Sequence, residues 1–330
     1  MPAKKIIVVV GATGNQGTSV ANTFLKLPAW HVRCLTRNPH SDAASALRTQ
    51  GAQVIQGDLT DPASLTTAFQ NAHAVFVNTD FWTTWYPAKA VLCAEGKSYE
   101  PASEMAFAVE TLHGKNAVDA AAAVPSLERF VYSALPGTSK VSNGKYTRSK
   151  HFEAKGWVVE YISKQQPELW KKTPLIYVGA YTTNRLLTPR LDPTSSGRYA
   201  FVLPVKQETR IPIINVQQSI GQFVRALVEE EEPGVKLLAY DSYLTAAEIA
   251  EVWSRASGKE AVFVPIAPEA MHDKMGVTWE HLDSQAFINE YGYTGGVVGV
   301  VEPAQLKRKV ATKSWEDQLK EMNWTEVLAA

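Results

Sequence analysis

A doubly wound α/β fold, built on a parallel sheet with a smaller C-terminal α+β lobe, follows from three features of the chain. The run Ile6-Ile7-Val8-Val9-Val10 is β-branched throughout, as suits a central parallel strand buried on both faces. A glycine-rich turn, Gly11 to Gly17, follows it at once. From there to about residue 180, short apolar runs alternate with helical segments, the rhythm of right-handed βαβ units.

After the first strand, residues 14–26 predict a helix and Val32–Thr36 a second strand. Gln53–Gln56 is the third. Asp61-Pro62 pairs an N-cap with a proline at the first helical position and opens a helix over 61–72. Ala74–Asn78, Arg129–Ser133 and Pro174–Gly179 read as strands four to six, with helices over 102–123 and 146–165 between them. The remainder is less regular. Arg210–Val216, Lys236–Tyr240 and Val262–Ile266 read as strands and Gln217–Glu231 as a helix. Thr245 and Glu248 form a capping box for the helix Ala246–Ser257. The acidic run Glu229–Glu232 reads as a solvated helix end. No flexible linker appears. Residues 1–180 are therefore expected to form the sheet domain and residues 181–330 a lobe packed against it, with strand exchange between the two allowed.

The 330 residues are 45% hydrophobic and 20% charged, a globular composition that excludes disorder and fibres. Lys+Arg and Asp+Glu both number 33, so the net charge is zero. With no recognition motif either, direct nucleic-acid binding is not expected. Cys34 and Cys93 are the only cysteines, too few for a disulfide framework or a cysteine zinc site. After Met-Pro-Ala-Lys-Lys a run of only five apolar residues leads to Gly11, too few for a signal peptide, and no stretch approaches the ~18–20 of a spanning helix. A cytoplasmic protein is expected, with the nucleus also open to it and no membrane contact.

The turn reads Gly11-Ala12-Thr13-Gly14-Asn15-Gln16-Gly17. A strand running into glycines that open a helix is the arrangement that holds a pyrophosphate. Gly11 permits the tight turn, Gly14 lets backbone approach phosphate, and Gly17 allows close packing of the helix. Twenty residues beyond Gly17 lies Arg37, next to Asn38, and no acid occurs between Val32 and Ser41. A guanidinium can clamp the 2′-phosphate that an aspartate would repel, so NADP(H) is expected rather than NAD(H).

The G-x-x-G-x-x-G spacing resembles the short-chain dehydrogenase superfamily of Rossmann folds. Together with Thr36-Arg37-Asn38-Pro39, Gly57-Asp58-Leu59-Thr60-Asp61, His151-Phe152-Glu153-Ala154-Lys155-Gly156 and the closing Lys313-Ser314-Trp315, the chain is similar to the NmrA-like family. That resemblance implies further cofactor contacts. Asp58 and Leu59 would meet the adenine, Thr79-Asp80-Phe81 the middle of the cofactor, and Ala180-Tyr181-Thr182-Thr183 would cover the nicotinamide. In the superfamily a serine after the fifth strand works with Tyr-x-x-x-Lys on the next helix. Ser133 stands in the serine's place, and Tyr146 with Lys150 matches the second motif literally. His151 with Lys155 has the same spacing and matches the NmrA-like pattern. At 3.6 residues per turn the two pairs are offset by about 140°, so one helix face cannot present both. His151 and Lys155 share the apolar stripe with Val158 and Ile162. An inward lysine is costly unless paired or functional, which assigns Lys155 to the cofactor ribose and makes His151 the proton-moving candidate.

Two functions are expected to compete. One is an NADP(H)-dependent oxidoreductase for a small organic substrate, with the cluster Phe81-Trp82-Thr83-Thr84-Trp85-Tyr86 either flooring its pocket or plugging the gap between lobes. The other is a redox sensor that binds NADP(H) and regulates a protein partner, as some members of the family do.

Overall fold

A computed structural model describes residues 3–192, 195 and 197–324. Eight parallel strands form the central sheet. Six come from the first half: β1 (Lys5–Val10), β2 (Trp30–Thr36), β3 (Gln53–Gln56), β4 (Ala74–Val77), β5 (Arg129–Ala134) and β6 (Leu175–Val178). Their order is 3-2-1-4-5-6, and the strands Lys236–Ala239 and Val300–Val301 extend the sheet beyond β6. Connections reverse direction between β1 and β4, which opens a crevice at their carboxyl ends.

Strand alternation divides the core in two. Ile7, Val9, Phe76, Val131 and Ile176 face α1 (Asn15–Leu25), α2 (Asp42–Thr49) and the helix Val216–Glu229. Val8, Val10, Val75, Tyr132 and Tyr177 face α3 (Pro62–Phe69), α5 (Glu100–Ala122) and α7 (Lys150–Gln165). Between these helices lie α4 (Trp82–Ala94) and the short α6 (Thr138–Val141). Residues from the second half supply two sheet strands and the helix that covers α1.

The rest of that half makes two three-stranded sheets, Ser242–Thr245 with Arg210–Ile214 and Ala180–Tyr181, and Ala261–Pro265 with Tyr199–Leu203 and Arg190–Leu191. They enclose a second core of Phe201, Leu203, Ile213, Ile249, Trp253 and Trp315. The Thr245–Glu248 capping box opens Ala246–Ser257 as its sequence predicts.

Two expectations are corrected, and one helix is added. The helix over 146–165 starts only at Lys150, because Ser142 and Asp283 bind the backbone N–H groups of Tyr146 and Arg148 in a separate turn. The aromatic cluster at 81–86 lies at the start of α4, a helix not among the expected ones. The acidic run is not merely solvated: Glu231 is buried and accepts from the Lys307 N–H, while Glu230 pairs with Arg308 and Glu232 with Lys307. No described helix is long and apolar enough to cross a membrane.

Candidate active site

The glycine turn is built for close approach. Gly11 adopts φ of +69°, where a side chain is strained. The Gly14 N–H closes the turn on Gly11 O at 2.9 Å. A Cβ on Gly17 would stand 2.1 Å from Gly11 O, so α1 seats against its own loop only as glycine. No side chain caps the first turn of α1, which leaves its dipole end for an anion. Ala12 is buried, its carbonyl held by Thr18 Oγ1 at 2.9 Å, while Thr13 is half-buried beside it. Asn15 Oδ1 accepts from Gln217 Nε2 at 3.2 Å, and Gln16 Nε2 donates to the Tyr181 hydroxyl at 2.7 Å. Gln16 Oε1 is buried without a hydrogen-bond partner among the described residues. The strained turn and the missing Cβ fit a dinucleotide's phosphates, and the orphan acceptor fits a donor on the same ligand such as a ribose hydroxyl.

Arg37 and Asn38 stand exposed past β2. Asp58 folds its own turn, its Oδ1 accepting from the N–H and the hydroxyl of Thr60, each at 2.8 Å. The Thr60 N–H holds its carboxyl below the usual range against burial, helped by the charges of His113 and Arg37. His113, on α5, was not marked by any sequence signal. Burial pushes its imidazole below the usual value, and its Nε2 is buried without a partner. Leu59 O accepts from Asn116 at 2.8 Å.

At the carboxyl end of β4, Lys155 is nearly enclosed. Its ammonium donates to Thr79 O at 3.0 Å, Thr79 Oγ1 at 3.1 Å and Asn78 Oδ1 at 3.3 Å. It also pairs with Glu110 of α5 at 3.2 Å; the two side chains are 12% and 0% exposed. Thr79 donates to the same carboxylate at 2.7 Å. Asp80 caps α4 instead, accepting from the Trp82 N–H at 2.9 Å, and Phe81 is buried behind it. Ala180 and Tyr181 form the short strand against Ile213 and Ile214, with Thr182 N–H on Ile214 O and Thr183 exposed.

One turn before Lys155, His151 packs among Trp82, Phe152 and Phe81, at ring separations of 4.8, 4.9 and 5.9 Å. Its Nδ1 lies 2.6 Å from Glu280. His281, the next residue, stacks on Trp82 at 4.8 Å, and burial pushes its imidazole down to about 4, with the His151 charge adding to the effect.

Two sequence candidates fall elsewhere. Ser133 alternates with Tyr132, which meets Thr79 on the α7 side at 3.2 Å; Ser133 therefore points to the α1 side, across the sheet from His151 and Lys155. Tyr146 precedes α7, gives its hydroxyl to Glu290 at 2.7 Å and lines a separate cleft of about 460 Å³ with Lys206, Pro265 and Asn289. Lys150 pairs with Glu104 at 2.9 Å, so the literal Tyr146/Lys150 motif forms no joint site. Among the described residues no His, Cys, Asp and Glu cluster could hold a metal.

The chain is similar to known proteins over most of its length. An NmrA-like family domain-containing oxidoreductase of Aspergillus hancockii is 28% identical over 95% of this chain and 90% of its own. A similarly described protein of Penicillium ochrochloron is 26% identical over 85% and 79%. Among solved structures, NmrA, described as a negative transcriptional regulator, superposes with a TM-score of 0.73 at 20% identity, covering 99% of this chain and 98% of its own. The leucoanthocyanidin reductase–NADPH complex of Vitis vinifera gives 0.67 at 14% identity, over 96% and 98%. The family model for NmrA-like proteins matches residues 3–327. With the match running through both the glycine turn and the closing helix, the chain belongs to the NmrA-like family.

Proposed function

We propose that the chain is an NADP(H)-dependent oxidoreductase acting on a small, flat organic carbonyl or enone. The observation that carries the reading is Lys155: an enclosed ammonium held by Asn78, Thr79 and Glu110 at the sheet's switch point, beside the glycine turn. When bound, the cofactor supplies a hydride. The residues of this chain do the rest. The N-terminus of α1 receives the phosphates, Arg37 and Asn38 the 2′-phosphate end, and Lys155 exchanges its longest hydrogen bond, to Asn78 Oδ1 at 3.3 Å, for the nicotinamide ribose. His151 carries the proton, and Trp82 offers an aromatic face to the substrate beside it. The description of relatives as oxidoreductases and the NADPH complex of a structural neighbour support this assignment.

A second reading, an NADP(H) sensor that regulates a protein partner, is favoured by Tyr146. The residue that matches the usual catalytic tyrosine is turned toward Glu290. NADPH fluorescence titration and turnover separate the two. Lys155→Ala loses NADPH affinity whereas Lys150→Ala stays within about 0.5 kcal/mol of the parent. If the parent binds NADPH but consumes none with a panel of aromatic carbonyls, the oxidoreductase reading is refuted and the sensor stands, whereas activity retained in His151→Ala refutes His151 as the proton carrier.

A further inference from the structure

The lobe beyond the sheet contributes one fully buried carboxylate to this site. Glu280 lies in the first turn of the helix Trp279–Tyr291, 1% exposed, and reaches across to the first turn of α7. Its Oε1 accepts from the His151 backbone N–H at 2.9 Å and lies 2.6 Å from His151 Nδ1. The single oxygen thus fixes both the main chain and the ring of one residue. Burial pushes the Glu280 carboxyl up, but the ring and backbone hydrogen bonds from His151, with its charge and Ser103, overcome that and leave it below the usual range. It stays an acceptor.

The other ionisable groups nearby are committed elsewhere. Asp283 holds Arg148 at 3.1 Å, Glu104 holds Lys150 at 2.9 Å, and Lys155 is bound to Glu110 at 3.2 Å. His281 lies 3.0 Å from Thr278 Oγ1, and Lys89 of α4 lies over the Trp85 ring. Among the described residues only Glu280 meets Nδ1. An ionised carboxylate has no hydrogen to donate, so Nδ1 must carry one in every state of the ring. Trp82, Phe81 and Phe152 pack around the imidazole and resist a flip that would exchange the nitrogens.

We propose that Glu280 is the positioning residue that holds His151 as the Nδ1–H tautomer, so that protons enter and leave its ring only at Nε2. The proposal rests on the reading of His151 as the proton carrier. In the reducing direction the Nε2–H bond breaks, its electron pair stays on nitrogen, and an O–H bond forms on the substrate oxygen. The two electrons arrive with the nicotinamide hydride, and the neutral ring regains its proton from water. The carboxylate balances the imidazolium charge throughout, the role an acid plays behind a catalytic histidine generally.

The test is tautomer-sensitive NMR on the full chain labelled with nitrogen-15 histidine, with His151 assigned through His151→Gln. The expected spectrum is Nδ1–H for neutral His151 in the parent. Glu280→Leu, which has no acceptor, should shift it to predominantly Nε2–H, and Glu280→Gln, which keeps an acceptor oxygen, should restore Nδ1–H. Saturating NADP⁺ should move the Nε2 resonance of the parent. An Nε2–H tautomer in the parent overturns the proposal without any variant, and so does an unchanged ring in a folded Glu280→Leu. A His151 ring indifferent to NADP⁺ removes the reading beneath the proposal. With that response intact, the other two negative results count against Glu280 alone.

Discussion

Replacing Lys155 by methionine should destabilise the protein even before any ligand is considered. Lys155 and Glu110 form an ion pair with side chains 12% and 0% exposed, and Glu110 is also held by Thr79. Removing the cation leaves the carboxylate buried with a hydroxyl as its remaining partner. Breaking a buried pair from one side costs about 3–5 kcal/mol. For 330 residues the unfolding entropy is about 0.7 kcal/mol/K, so the melting midpoint should fall by about 4–7 °C. Glu110→Gln alone should cost less, about 1–3 kcal/mol, because the ammonium keeps Asn78 and Thr79. Combining both changes removes the stranded charge, so the double variant should be more stable than the sum predicts by about 1–3 kcal/mol. Thermal melting followed by circular dichroism on the four chains measures this. Strict additivity, or a Lys155→Met chain melting with the parent, would show that Glu110 is not compensated by Lys155.

Arg37→Asp should exchange NADP(H) for NAD(H) preference, with a loss of about ten- to a hundredfold in NADP⁺ affinity for one charge-assisted contact; titration calorimetry with both cofactors reads it. Gly17→Ala should abolish cofactor binding and lower the melting midpoint, because its Cβ would meet backbone at 2.1 Å and overpacking costs about 1–3 kcal/mol. His281 is pushed down to about 4 in the folded chain, against about 6.5 unfolded, so the unfolded state binds the extra proton between these values. Its contribution is full above about 6.5 and is lost as pH falls to about 4, on the order of 3 kcal/mol, and urea titrations across that window should flatten in His281→Asn.

The nucleotide half of the fold is legible because its signals are local. β1 and the glycine turn are contiguous in the chain, and the N-cap Asp61 accepts from Ala63 N–H two residues on. α4 escapes the same logic, since Trp82 to Ala94 holds Pro87 and buries only Trp85, without a helical stripe. Site residues divide the same way. Lys155 could be placed from the wheel of its own helix, and Glu110 carried a comparable mark: it stands in line with Ala106, Gly114 and Ala117, all buried on α5. Two oppositely charged residues, each inside an apolar stripe, are candidates for one another. Ser133 shows the limit of such parity. Alternation says that it and Tyr132 face opposite ways, but which way α7 lies is decided by the winding of the sheet. Glu280 carries no mark at all, since an acid in the first turn of a helix is ordinary. Its meaning depends on the chain returning it to His151 across a separation of 129 positions. The proposed proton donor, marked by local pattern, thus depends on a partner that only the tertiary fold supplies, and in that proposal the helix Trp279–Tyr291 must be docked for the donor to be set.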